Sequence, residues 1–161
     1  MKIAGSKITL IQARLNDEEK KTLYSSNEQL DTMSEVWRYP EETPTEIVFK
    51  IEREGKTIGE LTMKNLRWFN RKAELGIIIF PQEQGKGYAT DALRTVINYA
   101  FKDMNLHRLE AEVIEYNEAS KKMIEKLGFK EEGRLREAKY SKGKYWDILR
   151  YGLLKDEYEK F

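Results

Sequence analysis

The chain has 161 residues, enough for one domain that buries about two-thirds of its unfolded surface. Lys and Arg number 29 against 28 Asp and Glu, and a net charge of +1 predicts no electrostatic footprint for nucleic acid or an anionic membrane. Cysteine is absent and His107 is the one histidine, which excludes disulfides, thiolate metal sites and a cysteine nucleophile, and leaves little for a metal site or a histidine-based triad.

The N-terminus carries no apolar signal core, and no apolar run approaches the ~20 residues of a membrane span. The expectation is a soluble cytoplasmic protein forming a single domain over residues 1–161. Residues 7–13 (KITLIQA) alternate as a first strand, and 16–30 (NDEEKKTLYSSNEQL) read as a helix capped by Asn16. Residues 36–46 are irregular, interrupted by Pro40 and Pro44. EIVFKIERE (46–54) and KTIGELTMKNL (56–66) read as two strands joined by a hairpin at Glu54-Gly55-Lys56. A turn at 68–72 leads to AELGIIIF (73–80), a strand whose continuously apolar second half should be buried on both faces.

Ala89, Ala92, Leu93, Val96, Ile97 and Ala100 follow helical spacing. HRLEAEVI (107–114) alternates as a strand. EASKKMIEKL (118–127) reads as a helix, with Asn117 able to cap its start and Gly128 able to close its end. FKEEGRLREAKY (129–140) and YWDILRYGLL (145–154) read as a final strand pair. The order β-α-β-β-β-α-β-α-β-β predicts an α/β (α+β) fold: a mixed sheet with one parallel crossover and helices on its faces.

Between the apolar strand and the helix lies Pro81-Gln82-Glu83-Gln84-Gly85-Lys86-Gly87. Pro81 stops the strand, and the glycines leave backbone bare where the first helical amides have no internal acceptor. Together with the helix dipole this is the chemistry of a phosphate cradle, built from the amides of residues 84–89. The spacing is not that of the mononucleotide P-loop, and Thr90 stands where the dinucleotide fingerprint needs glycine. The bland alternative is a tight strand-to-helix connection without a ligand.

At these residues the sequence resembles the GNAT superfamily of acetyl-CoA-dependent N-acetyltransferases, whose motif [QR]-x-x-G-x-[GA] is matched by Gln82, Gly85 and Gly87. A downstream pattern is matched by Asn117, Ser120, Lys126, Gly128 and Phe129, and residues 131–154 look like the RimJ/RimL-like, ribosomal-protein N-acetyltransferase branch. The resemblance implies a twisted sheet of about seven strands with three to four helices. It implies that Gln84, Gly85, Lys86, Gly87, Tyr88 and Ala89 hold the pyrophosphate of coenzyme A, as co-substrate without a metal. The pantetheine arm would lie along Ile77, Ile78 and Ile79, with Asn117 on the same arm or the adenosine end. Ser120 shares a helical face with Met123, Ile124 and Leu127, and is the candidate to touch the sulfur and protonate the departing thiolate; Ile124 stands where many relatives place a tyrosine acid, so that assignment fails here. The alternative for Ser120 is a bond to the carbonyl one turn earlier.

Glu74 is the candidate base, with Glu60 second. Trp37, Tyr39, Trp68 and Phe69 would wall the acceptor side. The implied reaction is acetyl transfer to a primary amine, a protein N-terminus or a small amine, with a polyamine acceptor as the alternative. A non-catalytic acyl-CoA-binding module is the reading from another class. A homodimer through the aromatic-rich C-terminal strands is expected.

Overall fold

In the computed structural model, residues 2–4, 6, 9–23 and 44–158 are described. The chain divides into two compact units, Met1–Val36 and Trp37–Phe161. In the first, β1 (Lys2–Ala4) pairs antiparallel with β2 (Thr9–Ile11). Helix α1 (Asp17–Leu23) follows. Asn16 Oδ1 accepts from the Glu19 amide at 2.9 Å, and Glu19 Oε2 accepts from the Asn16 amide at 2.7 Å. This reciprocal capping box explains why the helix starts where the sequence predicts. The remainder of the expected helix, and Trp37, Tyr39 and Pro40, lie outside the described residues.

The second unit holds a six-stranded mixed sheet in the order β3 (Ile47–Arg53), β4 (Lys56–Arg67), β5 (Lys72–Ile79), β6 (Arg108–Ile114), β8 (Lys144–Leu154) and β7 (Lys130–Ser141). Strands β3 (Ile47–Arg53) and β4 (Lys56–Arg67) join through Glu54 and Gly55, at φ 51° and 75°. Two consecutive positive φ angles are what a tight hairpin turn requires. Strand β5 (Lys72–Ile79) pairs antiparallel with β4 and parallel with β6 (Arg108–Ile114). The crossover between them is α2 (Tyr88–Asn98), extended by a π-helical turn at Tyr99–Asp103. Helix α3 (Glu118–Lys126) ends with Gly128 at φ 93°, where the Phe129 amide reaches Ile124 O and the Gly128 amide reaches Glu125 O. That is the Schellman closure anticipated for this glycine. Strands β7 (Lys130–Ser141) and β8 (Lys144–Leu154) form the last hairpin, and α4 (Lys155–Tyr158) ends the described chain.

The predicted α+β architecture and its parallel crossover are present, with two differences. Among the described residues the sheet has six strands rather than about seven, and β2 pairs with β1 in a sheet of its own. The second half of β5 is not buried on both faces: Ile79 is buried, but Ile78 is 69% exposed. Successive strand residues point to opposite faces, and only the face bearing Leu75 and Ile79 packs on the core.

That core lies on the helix side of the sheet. Leu61, Met63, Leu75, Leu109, Val113 and Leu153 pack there against Leu93, Val96 and Ile97 of α2, Ile124 of α3 and Leu127 at its C-cap. Each such fully buried side chain contributes about 1.5–3 kcal/mol of transfer free energy. The opposite face is ionic. Glu110 is 9% exposed and receives Lys72 Nζ at 3.1 Å, Arg108 Nε at 3.3 Å and Arg150 Nη2 at 2.7 Å. Arg108 also clasps Glu132 with two nitrogens, and Arg150 Nη1 reaches Glu112 at 3.0 Å. Burial alone pushes the Glu110 carboxyl up, but Lys72 and Arg108 outweigh it and hold the group below its ordinary range.

Candidate active site

The strand β5 ends at Pro81, and a 3₁₀ turn over Pro81–Glu83 follows. Gly85 and Gly87 adopt φ 75° and 84°, the left-handed region, and a Cβ on either would meet no atom within 4 Å. Glycine is therefore needed for the turn, and the space in front of it is open. The Gln84 amide bonds Pro81 O and the Asp91 amide bonds Gly87 O. Among the described residues, the amides of 85–90 between them have no hydrogen-bond acceptor. The row of bare donors is thus shifted by one from the expected 84–89, because the 3₁₀ turn consumes the Gln84 amide.

The side chains around the loop hold its shape. Gln84 Nε2 donates to Ile79 O at 2.9 Å, and Lys86 Nζ pairs with Glu83 Oε2 at 2.9 Å. Arg53 lies over the Tyr88 ring, 5.3 Å from its centroid. An anion placed before α2 would meet unpaired N–H groups and the positive end of an eleven-residue helix (88–98). Gly87→Val is therefore expected to weaken coenzyme A binding at least about tenfold. Calorimetry on the folded variant checks this, and unchanged affinity would leave Gly87 a turn residue only.

Beside the loop the sheet opens. Strands β5 and β6 pair from Lys72 with Arg108 to Leu75 with Ala111, and no further. Beyond that point β5 continues against β4 to Ile79, and β6 continues against β8 to Ile114. The facing backbone edges of Gly76–Ile79 and Glu112–Ile114 have no strand between them. A cleft of about 250 Å³ lies there, lined by Lys64, Glu74, Leu75, Gly76, Glu112, Val113, Ile114, Lys139 and Ile148. Its residues 64, 74, 76, 112 and 114 alternate with core residues, so they belong to the face opposite α2. A larger groove of about 590 Å³ sits on the helix face between β3 and α2, away from the parting strands.

The candidate base Glu74 lines the cleft and is 7% exposed. Asn65 Nδ2 donates to its Oε2 at 2.9 Å, and Lys64 Nζ lies 3.6 Å from Oε1. Glu60 is exposed, and faces Ile78 across the β4–β5 ladder. Of the three isoleucines, Ile77 and Ile79 turn toward the core side and Ile78 toward the cleft side. Asn117 caps α3, its Oδ1 accepting from the Ser120 amide at 3.1 Å. Ser120 is half-buried, and its hydroxyl makes no hydrogen bond among the described residues, so the one-turn-back bond is absent. Ser120 is not among the residues lining the cleft. Trp68 donates its indole N–H to Pro44 O at 2.9 Å, Phe69 is 69% exposed, and His107 is exposed at the start of β6. Gly76, Glu112 and Lys139 were not legible as site residues. The alternation of HRLEAEVI places Glu112 opposite the core, and a glycine inside a strand marks open space or close approach, so two of the three carried a signal.

Bare amides at a helix start thus lie next to parallel strands that part beside a buried carboxylate. The acetyltransferase (GNAT) domain model matches residues 9–130. The chain is 32% identical to the spermidine N(1)-acetyltransferase of Vibrio cholerae over 132 residues, 81% of this chain and 76% of that protein. It is 40% identical over 106 residues to YdaF of Bacillus subtilis, a protein provisionally named a ribosomal N-acetyltransferase. That match covers 66% of this chain and 58% of YdaF, less than two-thirds of its length. The solved spermidine/spermine N-acetyltransferase SpeG of Vibrio cholerae superposes with a TM-score of 0.71 at 32% identity, over 74% of this chain and 71% of that one. The chain belongs to the GNAT acetyltransferase family.

Proposed function

We propose that this protein transfers the acetyl group of acetyl-CoA to a primary amine by direct attack in a ternary complex. The observation that carries this reading is the continuity of the bare amides of 85–90 with the parted edges of β5 and β6. The amides suit a pyrophosphate. The free edges suit the amides of a pantetheine arm, which pair as an added strand would.

The reaction then needs three groups. The amine nitrogen attacks the thioester carbonyl carbon, and the oxygen takes up negative charge, which a free N–H of β5 can stabilise. Glu74 takes the proton that the nitrogen loses, directly or through one water. The C–S bond breaks and the thiolate leaves; Ser120 donates a hydrogen bond to it and relays a proton, its hydroxyl being reprotonated from water. Ser120→Ala is expected to lower turnover about tenfold or more with little change in acetyl-CoA affinity, the low end of an acid's worth, because thiolate leaves readily near neutral pH. Single-turnover rates at saturating amine decide it. A rate within about twofold of the parent would reduce Ser120 to a packing residue.

The names of the relatives, a ribosomal and a spermidine acetyltransferase, support two acceptor classes, a protein amine and a polyamine. Among the described residues the cleft favours a single ammonium. Glu74 is engaged by Asn65 and Lys64, Glu112 is engaged by Arg150, and Lys139 adds a further cation. A panel of peptide α-amines, simple alkylamines and spermidine, assayed for acetyl-CoA turnover, tests the proposal. Transfer to none of them would favour a non-catalytic acyl-CoA-binding module.

A further inference from the structure

Gly76 is the first residue of β5 beyond the last β5–β6 pair, Leu75 with Ala111. It pairs with Thr62 of β4 on its other side and lies between Glu74 and Ile78 on the same face. Its backbone needs no glycine: its φ lies outside the left-handed region, and a Cβ built on it would meet no atom within 4 Å. Gly59 gives the contrast on the neighbouring strand, where a Cβ would lie 2.3 Å from Ile78 O, so that glycine is required by the packing of β4 on β5. A strand interior ordinarily prefers a β-branched residue, and glycine there weakens it. Neither turn geometry nor packing accounts for Gly76. What its missing side chain leaves is volume, and that volume belongs to the cleft that Glu74 lines.

The position of that volume narrows its use. The cleft side chains lie on the sheet face opposite α2, whereas the glycine loop feeds α2 itself. The donor's phosphates therefore approach from the helix side, and the Glu74 face is left to the acceptor. Gly76 stands one residue pair along the strand face from the candidate base. An amine whose nitrogen is within reach of Glu74 has its amine-bearing carbon beside the bare backbone of residue 76. The geometry points to Gly76 as a specificity residue: its missing side chain admits acceptors whose amine-bearing carbon is branched, and a side chain at this position would restrict the site to unbranched –CH₂–NH₂ amines. This rests on the acetyl-transfer reading above. It goes further by assigning to one residue the choice between amines that share a charge and differ in a single substituent.

The test uses matched amines. Each amine acetylated by the parent protein is compared with its α-methyl homologue, in the parent and in Gly76→Ala and Gly76→Val. The quantity read is the ratio of kcat/KM for the branched amine to that for the unbranched one, so that any general loss in a variant cancels. In the parent the ratio should lie within about tenfold of unity. In Gly76→Val it should fall by at least about tenfold, and in Gly76→Ala by less, the scale on which one methyl group is discriminated in a shaped pocket. Coenzyme A affinity by calorimetry reports on the donor side and should move far less than that ratio. A parent that already rejects every branched homologue overturns the inference, as does an unchanged ratio in Gly76→Val. Both outcomes leave acetyl transfer standing. Absence of transfer to any amine overturns the acetyl-transfer reading itself, and the inference with it.

Discussion

Glu74→Gln is expected to lower kcat/KM for the amine about 100-fold near neutral pH, the range in which a positioned general base works. The substitution is nearly isosteric, and its carbonyl oxygen can still accept from Asn65 Nδ2, which now meets Glu74 Oε2 at 2.9 Å. The fold and the donor site are therefore retained while the proton acceptor is lost. The pH dependence separates this from a mere packing defect. An alkylamine is mostly protonated below its ordinary pKa of about 10.4, so at neutral pH the nucleophile depends on a group that accepts its proton. As pH rises toward that value the neutral amine becomes abundant without help. The deficit of the variant should shrink accordingly, whereas a structural defect would stay constant. A Glu74→Gln rate within about threefold of the parent across the whole pH range would move the base to Glu60 or to solvent.

The fold was legible wherever one local rule settled one element. Glu54-Gly55 specified a hairpin, the spacing of Ala92, Leu93, Val96 and Ile97 specified a helix, and Gly128 specified its end. The turn from β5 into α2 was legible for the same reason, since proline, glycines and a helix start act on neighbouring residues. What was not legible depends on pairing between distant strands. That β5 and β6 part after Leu75 and Ala111 is written in neither strand alone. Ile78 illustrates the difference. Its apolar neighbours suggest burial, yet it lies on the face that the parting strands leave uncovered. The one-residue shift of the free amides has a similar origin. It follows from the Gln84 amide turning back to Pro81 O, a bond that the bare pattern Q-x-x-G-x-G does not encode.

The closed half of the β5–β6 pair is secured by ions, and this carries the last expectation. Glu110→Ala should destabilise the protein by about 3 kcal/mol at neutral pH, the low end for removing one partner of a buried ion cluster. It removes the carboxylate shared by Lys72, Arg108 and Arg150 on three strands. The low end applies because Arg108 keeps Glu132 and Arg150 keeps Glu112. The sign of the pH dependence follows from the depressed carboxyl. Burial raises it, but Lys72 and Arg108 bring it below the ordinary value of 4.5. A carboxyl that releases its proton more readily when folded stabilises the fold fully above its unfolded value, and this is lost as pH falls through the lower folded value. The difference between parent and variant should therefore be largest near neutrality and shrink below about pH 4. Urea unfolding at pH 7 and at pH 3 measures both ends. A difference that stays constant would mean that Glu110 contributes by packing rather than by charge. Lys72 and Arg108 also form the first pair of the parallel ladder, whose last pair, Leu75 with Ala111, marks where the cleft begins. Loosening the cluster should thus let the parting run further down the strands. It would then carry Glu74 away from the amine whose proton it is proposed to accept, so transfer should fall in Glu110→Ala even under conditions where the variant remains folded.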